Sequence, residues 1–319
     1  MAPPLPLPFR AALGLLACAA FSPVFAQSAA PAPATKIVFL AGPKDHGWTG
    51  RHEYEKDLRV LAASLEQSAN LPGVKTVVHV GRAPRNLDEY RDAAAIVIES
   101  SSDRSEKETH PLFPPNPATN GRGYDEETTA FLKDLDALIR EKQIGVVILH
   151  YANWAENWAA RGYHLAWTGG LWVQMSSRNP VDRWAMTPET PGHPVLRGVN
   201  PWTYRDEIFC RFHLPNDRRR TNLLLGTPTE DKLGIGPQTA SWAYQRDDGG
   251  RGFVYGGVDW NENMNLEDYR RFLLNGIAWA AHLEVPAGGV QSPPPNVPPA
   301  PPPPPRPGIA VPPAPTKAN

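Results

Sequence analysis

The feature that most limits the fold is an alternation. Four short runs rich in β-branched residues, at 36–41, 74–79, 95–98 and 144–149, are separated by stretches with helical spacing. In 54–69, Leu58, Leu61, Ala62 and Leu65 recur at three- and four-residue intervals, and in 124–142 Phe131, Leu132, Leu135, Leu138 and Ile139 do the same. Parallel strands need a crossover, and a crossover helix must bury its apolar stripe on the sheet. The expected fold is therefore α/β, a doubly wound and mostly parallel sheet with helices on both faces. The later half is less regular. An aromatic-rich connection over 151–184 precedes expected strands near 204–212, 221–225, 241–246 and 251–258, with Asp248-Gly249-Gly250 as a hairpin turn signal. A helix over 266–282 closes the chain with Tyr269, Phe272, Leu273, Ile277 and Trp279 available for packing, and the order suggests an antiparallel extension of the sheet.

The two ends read differently. Proline makes up 37 of the 319 residues, more than double an average usage of about 5%. Fifteen of them fall in 286–319, a composition that cannot bury a core, so 285–319 is expected to be a disordered, solvated polyproline-II tail that an unidentified partner could bind. At the start, a short segment ending at Arg10, an apolar run over 11–21 and the sequence Val24-Phe25-Ala26 form the pattern of a signal peptide spanning 1–26. The run is too short to cross a bilayer. The protein is expected to be exported, periplasmic or secreted; the alternative is a lipoprotein acylated at Cys18. Residues 27–35 read as a flexible lead-in and 36–284 as the folded domain. Only Cys18 and Cys210 are present, so cleavage leaves no intramolecular disulfide. A formal net charge of -1 argues against nucleic acid as a partner, and a mean hydropathy of -0.41 argues against multiple membrane spans.

Ligands in open α/β sheets bind beyond the carboxyl ends of the strands, where strand order reverses. That rule selects His46, Trp48, His52 and Glu53 after the first run, Asp103 and His110 after the third, and His150 and Tyr151 after the fourth. Imidazoles at strand ends suit proton transfer near neutral pH or ligation of a divalent ion such as zinc. His46, His52 and His150 offer three metal ligands, with Glu53 as a fourth or as a base; His150, Glu53 and His46 are the candidate catalytic groups. In the other reading, His52 and Glu53 cap the following helix and His150 satisfies a buried backbone group. Tyr151, Trp154, His110, Asp103 and Trp48 are the candidate substrate-binding residues. Tyr151, Trp154, Trp158, Tyr163, Trp167 and Trp172 form a dense aromatic stretch suited to the apolar faces of sugar rings, or to covering the sheet edge. No nucleophile elbow follows the fourth run, and Gly42, Gly47 and Gly50 lack dinucleotide or phosphate-loop spacing, so no nucleotide cofactor is expected. Cys210, in an expected strand, reads as packing.

Several fragments then carry a resemblance. Ala41 to Gly47, His52-Glu53-Tyr54, His110-Pro111-Leu112, Ile148 to Ala152, Trp167 to Gly170, Gly192 to Val199, Asp206-Glu207, Asp248 to Phe253 and Leu274 to Trp279 together resemble the trehalose-utilisation (ThuA-like) family. The resemblance covers nearly the whole folded region and implies a flavodoxin-like, class I glutamine amidotransferase-like fold. It also implies carbohydrate metabolism, with a small-molecule carbohydrate as partner, hydrolase or lyase action on 3-keto glycosides in some members, and a histidine pocket for a divalent metal at His46, His52, His110 and His150. The chain departs from the pattern at Val173-Gln174-Met175, where a further acid and histidine are common, and at Asp259, where a histidine is common; both departures read as lost ligands. The expected function is glycoside cleavage by histidine and Glu53 chemistry. The alternative is a noncatalytic carbohydrate-binding or scaffolding domain.

Overall fold

The first strand, β1 (Thr35–Ala41), is apolar at consecutive positions because both of its faces are covered. Ile37, Phe39 and Ala41 join one buried cluster while Val38 and Leu40 join the other. The first cluster takes its helical contribution from α1 (Tyr54–Glu66) and α4 (Glu267–Ala280), the second from α2 (Glu126–Glu141) and α3 (Trp158–Thr168). Each fully buried Leu, Ile or Phe in these layers contributes about 1.5–3 kcal/mol relative to exposure. This computed structural model describes Met1 and residues 34–104, 109–115 and 123–302. The expected signal peptide, Cys18, nearly all of the lead-in and the tail from 303 onward lie outside the described residues.

Nine strands form one sheet in the order β2-β1-β3-β4-β9-β8-β7-β5-β6, where β2 is Val74–Val80, β3 Ala93–Glu99, β4 Gly145–Leu149, β5 Val181–Pro188, β6 Trp202–Glu207, β7 Arg220–Pro228, β8 Gln238–Gln245 and β9 Arg251–Tyr255. The five strands from β2 to β9 in that order pair in parallel, and the rest extend the sheet by antiparallel pairing. The expected α/β class and doubly wound order hold. Because β2 and β3 lie on opposite sides of β1, the loops leaving β1 and β3 diverge and open a crevice at their carboxyl ends. Among the described residues, no helix is long and apolar enough to cross a membrane.

Three local differences from the sequence reading have physical reasons. The aromatic connection contains α3 and the start of β5. Asn157 caps α3 by accepting the Ala159 N–H at 2.9 Å, and Gly169 ends it at φ 70. Strand β6 stops at Glu207, and Cys210 lies beyond it in an isolated bridge with Arg178; it is buried, and burial pushes its thiol up to about 12. The proline-rich segment is exposed at most of its described positions but docks at its start. Val285 and Val290 are buried in the α4 layer, and Val290 N–H donates to Asn275 Oδ1 at 2.8 Å.

Candidate metal and acid/base site

Three non-glycine residues with left-handed backbone meet at the crevice: His52 (φ 50) after β1, His150 (φ 50) directly after β4, and Val258 (φ 100) after β9. Such conformations cost of order 1–3 kcal/mol each and persist only where surrounding bonds fix them. The fixing bonds are present. His52 N–H donates to Asp259 O at 3.0 Å. The Asp206 carboxylate accepts the backbone N–H groups of Glu207 (2.9 Å), Val258 (3.2 Å), Asp259 (3.1 Å) and Trp260 (3.3 Å), which ties the end of β6 to the turn after β9.

Four potential ligand atoms come together here. Nε2 of His52, Nε2 of His150 and carboxylate oxygens of Glu207 and Asp259 lie within 4.8 Å of one another. His150 Nδ1 is 3.1 Å from Gly256 O. A carbonyl only accepts, so Nδ1 carries the proton and Nε2 presents a lone pair. That Nε2 is buried, has no hydrogen-bond partner, and lies 3.8 Å from Glu207 Oε2. His52 Nε2 lies 3.7 Å from the same oxygen and 3.3 Å from Asp259 Oδ1, itself buried without a hydrogen-bond partner. Donors on a tetrahedral ion with bonds of about 2.0–2.2 Å sit about 3.3–3.6 Å apart, close to these spacings. Two imidazoles and two carboxylates suit a borderline divalent ion such as zinc, so the residues fit a metal.

Electrostatics point the same way. Burial lowers the His150 pKa to about 3 against the bond to Gly256, and burial and then the neighbouring imidazoles and cations lower His52 still further, so both rings are neutral as ligation requires. Burial and then the Asp259 charge push Glu207 up to about 7. Asp259 is also raised by burial, against its bond to Arg51. Arg51 reaches Asp259 Oδ2 at 2.5 Å, and its guanidinium carbon lies over the Trp48 and Trp260 rings, 4.7 and 4.3 Å from their centroids.

A stability prediction follows from Glu207. Its folded pKa of about 7 exceeds the ordinary 4.5, so between those values the folded state of metal-free protein holds more protons than the unfolded chain. The stability this group contributes is full below about 4.5 and is lost as pH rises through about 7, at up to about 1.4 kcal/mol per pH unit. Urea denaturation from pH 4.5 to 8 should show this decline in wild type and a flatter profile in Glu207→Gln.

His46 stands outside the four donors. Its ring lies 3.9 Å from that of His52, its side chain is 42% exposed, and Nδ1 is 2.6 Å from Asp45 Oδ1. Burial raises the Asp45 pKa, but the bonds from His46 and from Ser101 (2.7 Å) outweigh it and hold the group below the usual carboxylate range. An ionised Asp45 keeps the His46 proton on Nδ1 and leaves Nε2 for proton transfer, the orientation of an acid–histidine pair in general-base catalysis.

Of the other residues expected here, Tyr151 and Trp48 border the donors. Tyr151 stands edge-on to His46 at 5.4 Å, and Trp48 edge-on to Trp260 at 6.4 Å. Glu53 does not join them. It accepts from Lys44 (2.8 Å) and Gly50 N–H (2.9 Å) and pairs with Lys56 (2.8 Å); burial raises its pKa, yet these partners bring it down to about 2. Lys44 also donates to the Trp48 and Arg51 carbonyls, so Glu53 and Lys44 hold the 42–53 loop in shape. His110 is buried, its Nδ1 accepting from Leu112 and Phe113 N–H groups. Asp103 accepts the N–H groups of Glu156 (2.7 Å) and Asn157 (2.9 Å), and burial against those bonds leaves it at about 6. Trp154 is buried against Trp172, ring centres 4.0 Å apart. The aromatic stretch mostly covers protein; Trp158 is its exposed member, at 72%.

Glu207, Asp206, Arg51 and Asp45 were missed as site residues, and Asp259 was read as a lost ligand. Asp259 in fact puts a carboxylate among the donors. The available signal was position, since Asp206-Glu207 ends one strand and Gly256-Gly257-Val258-Asp259 follows another.

Fold and cluster together define an α/β protein with a cluster of two histidines and two carboxylates at the strand ends. The structure resembles that of a protein from Bacteroides uniformis described as ThuA-like, with a TM-score of 0.55 and 13% identity, covering 80% of this chain and 95% of that one. A glutamine amidotransferase from Thermotoga maritima also matches, with a TM-score of 0.37 and 11% identity, covering 70% of this chain and 75% of that one. No family profile and no curated protein matches the chain in sequence. The likeness is one of fold.

Proposed function

We propose that the protein is a metal-assisted acid/base enzyme that cleaves glycosides, including 3-keto glycosides, by hydrolysis or elimination. The observation that carries this reading is His150 Nε2, a buried lone pair with no hydrogen-bond partner facing Glu207, in a ring whose other nitrogen is fixed by Gly256. His52, His150, Glu207 and Asp259 would hold the ion, which supplies Lewis acidity toward a substrate oxygen and lowers the pKa of bound water.

The chain's own groups divide the remaining work. His150 at about 3 and Glu53 at about 2 are too weakly basic to accept a proton near neutral pH, and Glu53 is also committed to Lys44, Lys56 and Gly50. His46, half exposed and oriented by Asp45, is the proton-transfer group; for a 3-keto sugar it takes the acidic hydrogen beside the carbonyl and returns it to the leaving oxygen. Tyr151 beside His46 and half-buried Trp48 offer ring faces for the sugar.

The test is turnover of a panel of 3-keto and unmodified disaccharides by metal-loaded wild type and His46→Ala. Loss of one general acid/base is expected to lower kcat about 10²–10⁴-fold with metal content unchanged. Equal turnover by both proteins would remove His46 from the mechanism. Saturable sugar binding by wild type without any product would show a carbohydrate-binding domain instead.

A further inference from the structure

We infer that the proline-rich segment 285–302 is a strap that positions the 42–53 loop, and with it Arg51 and His52. Its route is set by side chains that read its backbone. Asn275 Oδ1 accepts the Val290 N–H (2.8 Å); Asn70 donates to Gly289 O (2.9 Å) and accepts from Gln291 N–H (2.9 Å); Arg270 donates to Ser292 Oγ (3.0 Å). Further along, the Asn265 amide donates to Val297 O (2.8 Å) and accepts from Val297 N–H (2.9 Å), a two-point clamp on one residue. Polyproline-II backbone has no internal hydrogen bonds, so such external partners fix its position.

The strap ends at the site loop. Ala300 N–H donates to Glu262 Oε2 at 2.6 Å, and Ala300 Cβ would lie 2.6 Å from a Cβ added at Gly50. Gly50 has φ 91, so this position excludes a side chain both by conformation and by the strap's approach. Gly50 O accepts the Asn261 N–H at 2.9 Å, and Arg51 pairs with Trp260 in an isolated bridge. Ala300 thus touches both sides of the junction that places Arg51 against Asp259 and His52 against Glu207. Prolines preset the strap's conformation, which reduces the entropy lost on docking.

Val297→Pro in the full chain is the release variant. It removes the N–H that Asn265 accepts, and a proline disfavours the φ of 54 at Asn296 before it, while the half-buried side chain at 297 stays apolar and no fully buried core residue changes. The first readout is trypsin cleavage at Lys44 and Arg51 in metal-free protein, expected to rise at least tenfold, with Asn265→Ala behaving alike and Glu262→Gln, which keeps an acceptor oxygen, near wild type. The second is Co²⁺ affinity by titration, expected to fall about tenfold in the release variants. Unchanged cleavage and unchanged Co²⁺ affinity in Val297→Pro would overturn the strap's role. The affinity readout rests on the proposed metal site, whereas the cleavage readout does not: a wild type that binds no ion would sink the metal reading and leave cleavage to decide the strap.

Discussion

His150→Asn is expected to eliminate stoichiometric divalent-ion binding and to lower kcat/KM by at least about 10³-fold, with the fold retained. Asparagine accepts left-handed backbone better than most residues, so the φ of 50 at this position is not an added burden. It is shorter than histidine and brings no lone pair to the place of Nε2, which faces Glu207 at 3.8 Å. Three donors would remain, with Glu207 at about 7 and readily protonated. Elemental analysis of protein purified without a chelating tag, beside turnover of the sugar panel, checks both halves of the prediction. Stoichiometric metal in the variant would refute the assignment of His150 as a ligand.

Asp206→Asn should have the next largest effect although Asp206 touches no substrate. Its carboxylate collects four backbone N–H groups and so fixes Glu207 and Asp259 together. An amide has one acceptor oxygen, and its NH₂ group opposes the N–H donors on the other side. Loss of supporting bonds behind metal ligands typically lowers affinity 10–100-fold, and that is the expected change in Co²⁺ affinity, with an altered visible spectrum of the bound ion. Buried N–H groups left unpaired cost about 1–3 kcal/mol each, so Asp206→Ala should also lose several kcal/mol of stability in urea. An Asn variant with native affinity and spectrum would assign Asp206 to stability alone.

Sequence made the parallel half of the molecule legible because its strands are apolar on both faces and its helices carry regular stripes: β1 to β4, α1, α2 and α4 lie close to where residue spacing puts them. It was weaker for β5, where polar residues alternate with Trp184 and Met186, and for α3, where Gly162 interrupts the pattern and Trp158 faces solvent. The histidine half of the site was readable from strand-end position. The acidic half was not, because Glu207 ends β6 in the antiparallel extension and Asp259 follows β9, whose place beside β4 no local pattern reveals. Glu53 misled because an acid beside His52 is equally suited to pairing with Lys44 and Lys56. Proline content suggested a segment without a core, whereas Val285 and Val290 join the core cluster and asparagines elsewhere hold the backbone of 285–302.

The placement of β9 between β4 and β8 has a consequence for how the protein matures. His52 and His150 belong to the first half of synthesis, Glu207 and Asp259 to the second, and the four donors are brought together only with β9 in its place in the middle of the sheet. A growing polypeptide that has not yet delivered residue 259 possesses two imidazoles and no completed nest. A polypeptide cut short before residue 259 would lack one of the four donors of the proposed site.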